Sequence, residues 1–302
     1  MNFLVENQQI DLQFPNEITL HIKREDLIHP FISGNKFRKL KYNLLKAKED
    51  KKTKLLTFGG AFSNHIAAVA YSGKKNNFET IGIIRGNELE SQIHENPTLK
   101  FAQECGMKFH FVTREEYKNK TANTFIEKLK DNFGDFYLIP EGGANLLAVK
   151  GCEEILTLHD MQYSHLCCSI GTAGTISGLI NSSNRNQKII GFPSLKGDFL
   201  SEDIRKFAKN TNWELINDYH FGGYGKINEE LVSFINDFFH QTKIPLDPIY
   251  TGKMMYGILD LIKKGYFPNG SKILAIHTGG LQGIKGMNIY LKNKNLQQIL
   301  IP

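Results

Sequence analysis

Three clusters in this chain have residue types and spacing suited to chemistry. The first is Ser33-Gly34-Asn35-Lys36-Phe37-Arg38-Lys39-Leu40. A small Ser-Gly-Asn turn delivers a lysine onto a helix start, and Phe37, Leu40, Leu44 and Leu45 then recur at helical spacing. Burial at such a position lowers a lysine's pKa and makes its amine a nucleophile or Schiff-base partner. The competing reading makes Lys36 one more solvated cation beside Arg38, Lys39 and Lys41. The second cluster, Gly171-Thr172-Ala173-Gly174-Thr175, follows an apolar run and opens a helix. Small residues let backbone N–H groups approach an anion, so this reads as a phosphate cradle or as a ligand-free strand-to-helix turn. It is neither a Gly-x-Gly-x-x-Gly loop nor a Walker loop, since no Gly-Lys-Ser/Thr closes it. The third cluster, Gly59-Gly60-Ala61-Phe62-Ser63-Asn64-His65, presents a hydroxyl, an amide and an imidazole at a helix start. Ser63 serves there either as an N-cap or as part of a clamp for a substrate carboxylate. A hydrolase elbow is excluded, because the second Gly is missing. Tyr250-Thr251-Gly252-Lys253 and His277-Thr278-Gly279-Gly280 add hydroxyls at element boundaries.

The elements that must position these residues alternate between strand and helix. Strands are expected over 18–22, 55–58, 80–84, 108–112, 136–139, 165–170, 188–192, 213–216 and 272–276. Helices are expected from Lys36 to about 48, after Ser63-Asn64, and over 97–105, 121–130, 145–159, 198–209, 227–240 and 252–264, with another after Thr175. Such alternation calls for open, doubly wound parallel sheets, whose ligands collect at the carboxyl ends of the strands. The loops after Phe58, Ile139, Ile170 and Ile276 fall there. In sequence order the chain divides into two α/β units near residue 150, with no repeat or low-complexity tract.

Composition narrows the class. The chain has 302 residues, 41% of them hydrophobic and 23% charged, with a net charge of +6. Lysines interleave with acids, as in Lys48-Glu49-Asp50-Lys51-Lys52, which describes solvated helix ends and not a nucleic-acid footprint. The four cysteines form no Cys-x-x-Cys pair, so reduced buried thiols are expected and no metal site. No signal peptide and no membrane span are read in the sequence, so the expected location is the cytoplasm.

Taken together, the lysine turn, the Ser-Asn-His turn and the Gly-rich loop resemble the pyridoxal-phosphate enzymes of the tryptophan synthase β-like fold (fold type II). Within that fold, Gly34-Asn35-Lys36-Phe37-Arg38-Lys39, Gly59 to His65, Pro140-Glu141-Gly142-Gly143-Ala144-Asn145, Asp247 to Lys253 and His277 to Gly280 are similar to one family. It is the aminocyclopropane-carboxylate deaminase / D-cysteine desulfhydrase family, and the likeness runs in order from about Lys23 to Gly283. The resemblance implies that Lys36 holds pyridoxal 5'-phosphate covalently. Lys39, Asn64 and the loop Gly171, Thr172, Ala173, Gly174 and Thr175 would bind the phosphate. Ser63, Asn64 and His65 would receive the substrate carboxylate, and Ser63, Tyr224 and Tyr250 would serve proton transfer. Thr278 would face the pyridine nitrogen. The resemblance also places an acidic residue after the tyrosine in the deaminase branch, where this chain has the neutral Thr251. It implies a large discontinuous domain, 1–47 with 156–302, a small domain over 48–155, and a homodimer. A small D-amino acid, D-cysteine foremost, would be the substrate and β-elimination the reaction. Aminocyclopropane-carboxylate deamination, another fold-type II lyase or synthase, and an idle amino-acid-binding protein are the alternatives. The chain is somewhat short for the family and carries Ala144 and Ala173 inside its loops.

Overall fold

The computed structural model describes residues 5–32, 34–197 and 199–301. Ser33 and Asp198, expected in the lysine turn and at a helix start, lie outside the described residues. In chain order the strands are β1 (Asn7–Gln9), β2 (Thr19–Lys23), β3 (Lys54–Gly59), β4 (Glu79–Arg85), β5 (Lys108–Val112), β6 (Tyr137–Ile139), β7 (His165–Ile170), β8 (Lys188–Pro193), β9 (Trp213–Leu215) and β10 (Lys272–Ile276). The α-helices are α1 (Asn35–Glu49), α2 (Asn64–Asn76), α3 (Pro97–Glu104), α4 (Arg114–Lys118), α5 (Asn123–Phe133), α6 (Leu146–Glu153), α7 (Gly174–Ser182), α8 (Phe199–Arg205), α9 (Glu229–Thr242), α10 (Thr251–Lys263) and α11 (Gly283–Asn293).

The strands form two sheets. One has the order β1-β2-β10-β7-β8-β9, parallel throughout except for the antiparallel β1–β2 pair. The other, β5-β4-β3-β6, is fully parallel. A parallel strand covered on both faces reads as a continuous apolar run, and β10 shows why. Its Ile273 and Ala275 join the core beneath α9 and α10, while Leu274 and Ile276 join the core beneath α7. Leu55 and Leu56 of β3 divide in the same way between the two cores of the smaller sheet. Leu40 and Ala47 of α1 pack into one of those cores, so the helix that opens with Lys36 is braced on the smaller sheet.

The helix expected over 145–159 is shorter. It stops at Glu153, and a separate 3-10 turn spans Leu158–Gln162. The break has a local cause: the N–H and Oγ1 of Thr157 both donate to Asp160 Oδ2, at 2.7 and 2.9 Å, which starts a new turn. Likewise α9 begins at Glu229 because Asn228 Oδ1 accepts from the N–H of Leu231 at 3.0 Å.

Candidate active site

A cavity of about 620 Å³ lies where the carboxyl ends of both sheets converge. Lys36, Lys39, Ser63, Asn64, His65, Gly171, Thr172, Thr175, Tyr224, Tyr250 and Thr278 all reach its wall. Two expected site residues do not. Ala173 and Gly174 are buried behind it, where they turn the chain into α7.

Lys36 sits in the first turn of α1. Its Nζ donates to Asn35 Oδ1 at 3.0 Å, and Asn35 Nδ2 donates to Thr175 Oγ1 at 2.9 Å. Burial, reinforced by the neighbouring charge of Lys39, pushes the Lys36 ammonium down to about 7. The turn before it needs glycine: Gly34 has φ +60°, and a Cβ there would lie 2.0 Å from the carbonyl oxygen of Thr278. Gly34 N–H donates to Glu25 O at 2.9 Å and Asn35 N–H to Thr278 O at 3.3 Å, so the lysine turn is docked on the loop after β10.

Lys39, only 2% exposed, donates from Nζ to Thr172 Oγ1 and to Gly142 O, each at 3.0 Å. A Cβ on Gly174 would come within 3.3 Å of Lys39 Cε, and one on Gly142 within 2.8 Å of Thr172 Cγ2. A buried cation, two threonine hydroxyls and the start of α7 thus meet in one concave corner, a donor set suited to a phosphate dianion.

Ser63 caps α2: its Oγ accepts from the N–H groups of His65 at 3.2 Å and Ile66 at 3.4 Å, and it also lines the cavity. Asn64 Oδ1 is buried without a hydrogen-bond partner among the described residues. His65 Nε2 lies 2.9 Å from Thr57 Oγ1, whose proton goes to Ile139 O at 2.8 Å. The imidazole is therefore the donor to Thr57, and its buried Nδ1 keeps a bare lone pair. Burial, with Lys36 and Lys39 nearby, holds His65 neutral well below the usual histidine range.

Tyr250 precedes α10, and Tyr224 lies on the irregular stretch before α9, with the two ring centroids 6.2 Å apart. Desolvation by the cavity wall raises both phenols, although Tyr224 stays 46% exposed. Each also feels the other's hydroxyl, and both phenols stay above the ordinary tyrosine value. A Cβ on Gly171 would strike the Tyr250 ring at 2.7 Å, so this glycine makes room for the phenol.

Thr278 and Ser169 face the cavity together, with their hydroxyl oxygens 3.2 Å apart. Thr251, the neutral residue where the deaminase branch has an acid, does not join them. It is fully buried and absent from the cavity wall. Its Oγ1 donates to Asp247 Oδ2 at 2.7 Å, and its N–H does so at 2.8 Å. Asp247 Oδ1 meanwhile accepts from the N–H groups of Ile249 and Tyr250, both at 2.9 Å. These bonds to Asp247 hold Thr251 outside the cavity wall.

Sequence reasoning missed Arg85, Lys120, Glu141 and Ser169 among the lining residues. Lys120 and Glu141 pair at 3.3 Å, and Tyr117 donates to Glu141 at 2.8 Å. The signal was positional: Arg85 ends β4, Ser169 is penultimate in β7 and Glu141 follows β6.

The two open sheets and the lysine-centred cavity between their carboxyl ends are those of a fold-type II pyridoxal-phosphate enzyme. Residues 4–279 match the family described as "Pyridoxal-phosphate dependent enzyme". The chain is 31% identical over 301 residues to the Arabidopsis thaliana bifunctional D-cysteine desulfhydrase/1-aminocyclopropane-1-carboxylate deaminase, covering 89% of this chain and 74% of that protein. It is 26% identical over 317 residues to the 1-aminocyclopropane-1-carboxylate deaminase of Bradyrhizobium sp. (strain ORS 278), covering 92% and 91%. The crystal structure of an ACC deaminase homologue superposes with a TM-score of 0.80 at 29% identity, over 97% of this chain and 93% of that one. The chain belongs to the pyridoxal-phosphate dependent enzyme family, and within it to the aminocyclopropane-carboxylate deaminase / D-cysteine desulfhydrase family. Its cofactor is pyridoxal phosphate, and the residues present fit that group. Lys36 offers an amine free to condense near neutral pH, the Lys39–Thr172–Thr175 corner suits the phosphate, and the Ser169–Thr278 hydroxyls suit a ring nitrogen. Among the described residues no helix is long and apolar enough to cross a membrane.

Proposed function

We propose that this enzyme catalyses β-elimination on a small D-amino acid, most specifically the conversion of D-cysteine and water to pyruvate, hydrogen sulfide and ammonia. The observation that carries the proposal is the neutral wall around Thr278. Ser169 and Thr278 present hydroxyls there, while both oxygens of Asp247 accept from the residues that start α10. Hydroxyls support an unprotonated ring nitrogen, which is a moderate electron sink. A moderate sink suffices for a thiol, which leaves easily, and serves poorly for opening a strained carbon ring.

Bound pyridoxal phosphate supplies the sink for charge developing at the substrate's Cα. Lys36 would hold it until the substrate amine takes the lysine's place and frees its amine, with Lys39, Asn64 and the Gly171 to Thr175 loop holding the phosphate side. The start of α2, with Ser63, Asn64 and His65, receives the substrate carboxylate through the positive end of the helix. The Lys36 amine, poised near neutrality, takes the Cα proton. Tyr224 hands a proton to the departing sulfur. It lines the cavity beside Tyr250 and is the more solvent-exposed of the two phenols. The domain division into 1–47 with 156–302 and 48–155 belongs to the same reading, supported by β3 to β6 lying wholly inside the second span.

Aminocyclopropane-carboxylate deamination is the second reading, favoured by the name of the Bradyrhizobium relative. Purified enzyme is to be assayed with D-cysteine, L-cysteine and aminocyclopropane-carboxylate, following sulfide, pyruvate and 2-oxobutanoate. The expected result is sulfide release from D-cysteine about tenfold or more above 2-oxobutanoate release, a barrier difference of ~1.4 kcal/mol. Faster 2-oxobutanoate release overturns the proposal.

A further inference from the structure

Lys253 closes the Tyr250-Thr251-Gly252-Lys253 motif, yet nothing in the reaction uses it. It sits in the first turn of α10 and is only 1% exposed. An ammonium is costly to bury unless its donors are satisfied. Here Nζ donates to His220 O and to Gly223 O, both at 2.8 Å. Burial pushes its pKa down to about 8, with Asp247 opposing that fall.

Both acceptors belong to the irregular stretch between β9 and α9, which carries Tyr224. That stretch is conformationally expensive: Phe221, Gly222, Gly223 and Gly225 all have positive φ, at 52°, 91°, 116° and 69°. Tyr224 stands between two of these glycines and would not hold its place through local preference. Its tethers come from one face of α10. Besides Lys253, a Cβ on Gly257 would lie 2.8 Å from the Tyr219 ring, and Asp260 Oδ2 accepts from Tyr219 Oη at 2.7 Å. Positions 253, 257 and 260 are spaced one turn apart, so a single helix stripe grips the stretch. The same first turn of α10 follows directly on Tyr250, the partner of Tyr224.

We propose that Lys253 is a positioning residue: by clamping the carbonyls of His220 and Gly223 it fixes the backbone on both sides of the turn that sets Tyr224 against Tyr250. It acts through Tyr224 and touches no reacting atom. The kinetic part of its test rests on the elimination reading above; the structural part does not.

The test uses the cofactor-loaded enzyme and the variants Lys253→Met, Lys253→Gln, Tyr224→Phe and the double Lys253→Met/Tyr224→Phe. Amide hydrogen exchange is followed by mass spectrometry. Lys253→Met is expected to speed exchange over 218–226 by about tenfold or more, with α9 and the rest of α10 unchanged. Lys253→Gln keeps a neutral donor, serves in place of the Met variant should that one fail to fold, and is expected to give a smaller rise in the same peptides. With D-cysteine, the double variant is expected to be no slower than the slower single one, within about twofold, because both changes remove the same tyrosine. Unchanged exchange over 218–226 in both lysine variants overturns the proposal. So does a loss spread evenly over α9 and α10, or a double variant whose loss is the product of the single losses. An enzyme inactive on D-cysteine leaves the exchange result to decide alone, so a wrong substrate and a wrong role for Lys253 are distinguishable.

Discussion

At Lys36, burial and the charge of Lys39 act in the same direction, and the consequence is measurable without any substrate. The unfolded chain holds that proton up to about 10.4, whereas the folded site releases it near 7. Between those values the unfolded state binds more protons, so this lysine costs the cofactor-free protein stability that returns as pH rises. Lys36→Met removes the titration. The stability advantage of Lys36→Met over wild type is expected to shrink steadily from pH 7 to pH 10 in urea titrations of cofactor-free protein; a constant difference would contradict the lowered value. Ser63 presents a different balance, since one oxygen caps α2 and also faces the cavity. Ser63→Ala is expected to cost about 0.5–2 kcal/mol from the cap alone. A turnover loss far beyond that small drop in melting temperature would mark its substrate role, and an unchanged rate would leave only the cap.

Helix and strand contacts explain what holds the lysine turn in place. Lys23-Arg24-Glu25-Asp26, a run of four charges that resembles a solvated loop in sequence, is buried throughout. Lys23 pairs with Asp160 at 2.8 Å, Arg24 with Asp26 at 2.8 Å, and Glu25 with Arg38 of α1 at 2.8 Å. The end of β2 is thereby fastened to α1 and to the 3-10 turn after α6. Asp160 resists burial because Lys23 and Asn7 donate to it, which lowers its pKa despite the desolvation that would raise it. Lys23→Met leaves that carboxylate uncompensated and is expected to cost about 3–5 kcal/mol in urea denaturation; a cost under about 1 kcal/mol would show the pair to be solvated. Gly34→Ala is harsher in geometry, because its Cβ would overlap the Thr278 carbonyl. It is expected to abolish the cofactor's visible absorption while the far-ultraviolet spectrum of the folded chain remains. Much of this framework was legible: apolar runs fixed the cores of β7 and β10, and Gly-rich strand ends marked the cavity loops. What escaped had no pattern to read. β1 is three polar residues recruited by pairing with β2. The burial of Lys23 depends on Asp160, far away in sequence. α11 was the exception, since Ile284, Met287 and Leu291 do recur at helical spacing. The burial of Thr251 outside the cavity wall could not be read from its own place in the motif, because Asp247, four residues earlier, holds it.

On the scale of the whole molecule the cavity is a seam between two sheets of different chain geometry. The smaller sheet is built from one unbroken segment, β3 to β6, joined by short helical crossovers. The larger sheet places β10 between β2 and β7, so that Leu20 and Ile22 pack beside a strand that begins at Lys272. Contacts of that sequence separation are slow to form, because closing so long a loop precedes any gain from it. In refolding followed by pulsed hydrogen exchange, amides of β3 and β4 are expected to become protected before those of β2; simultaneous protection would deny the order. On a ribosome the consequence is sharper. β2 emerges with two apolar residues, Leu20 and Ile22, and waits, flanked by β1 alone, until β10 has been made. Thr278, which lines the cavity and on which the lysine turn docks, is made just after β10. A nascent chain can therefore hold a complete smaller sheet, yet it has no closed pocket in which to keep a cofactor until β10 and the loop after it have been made.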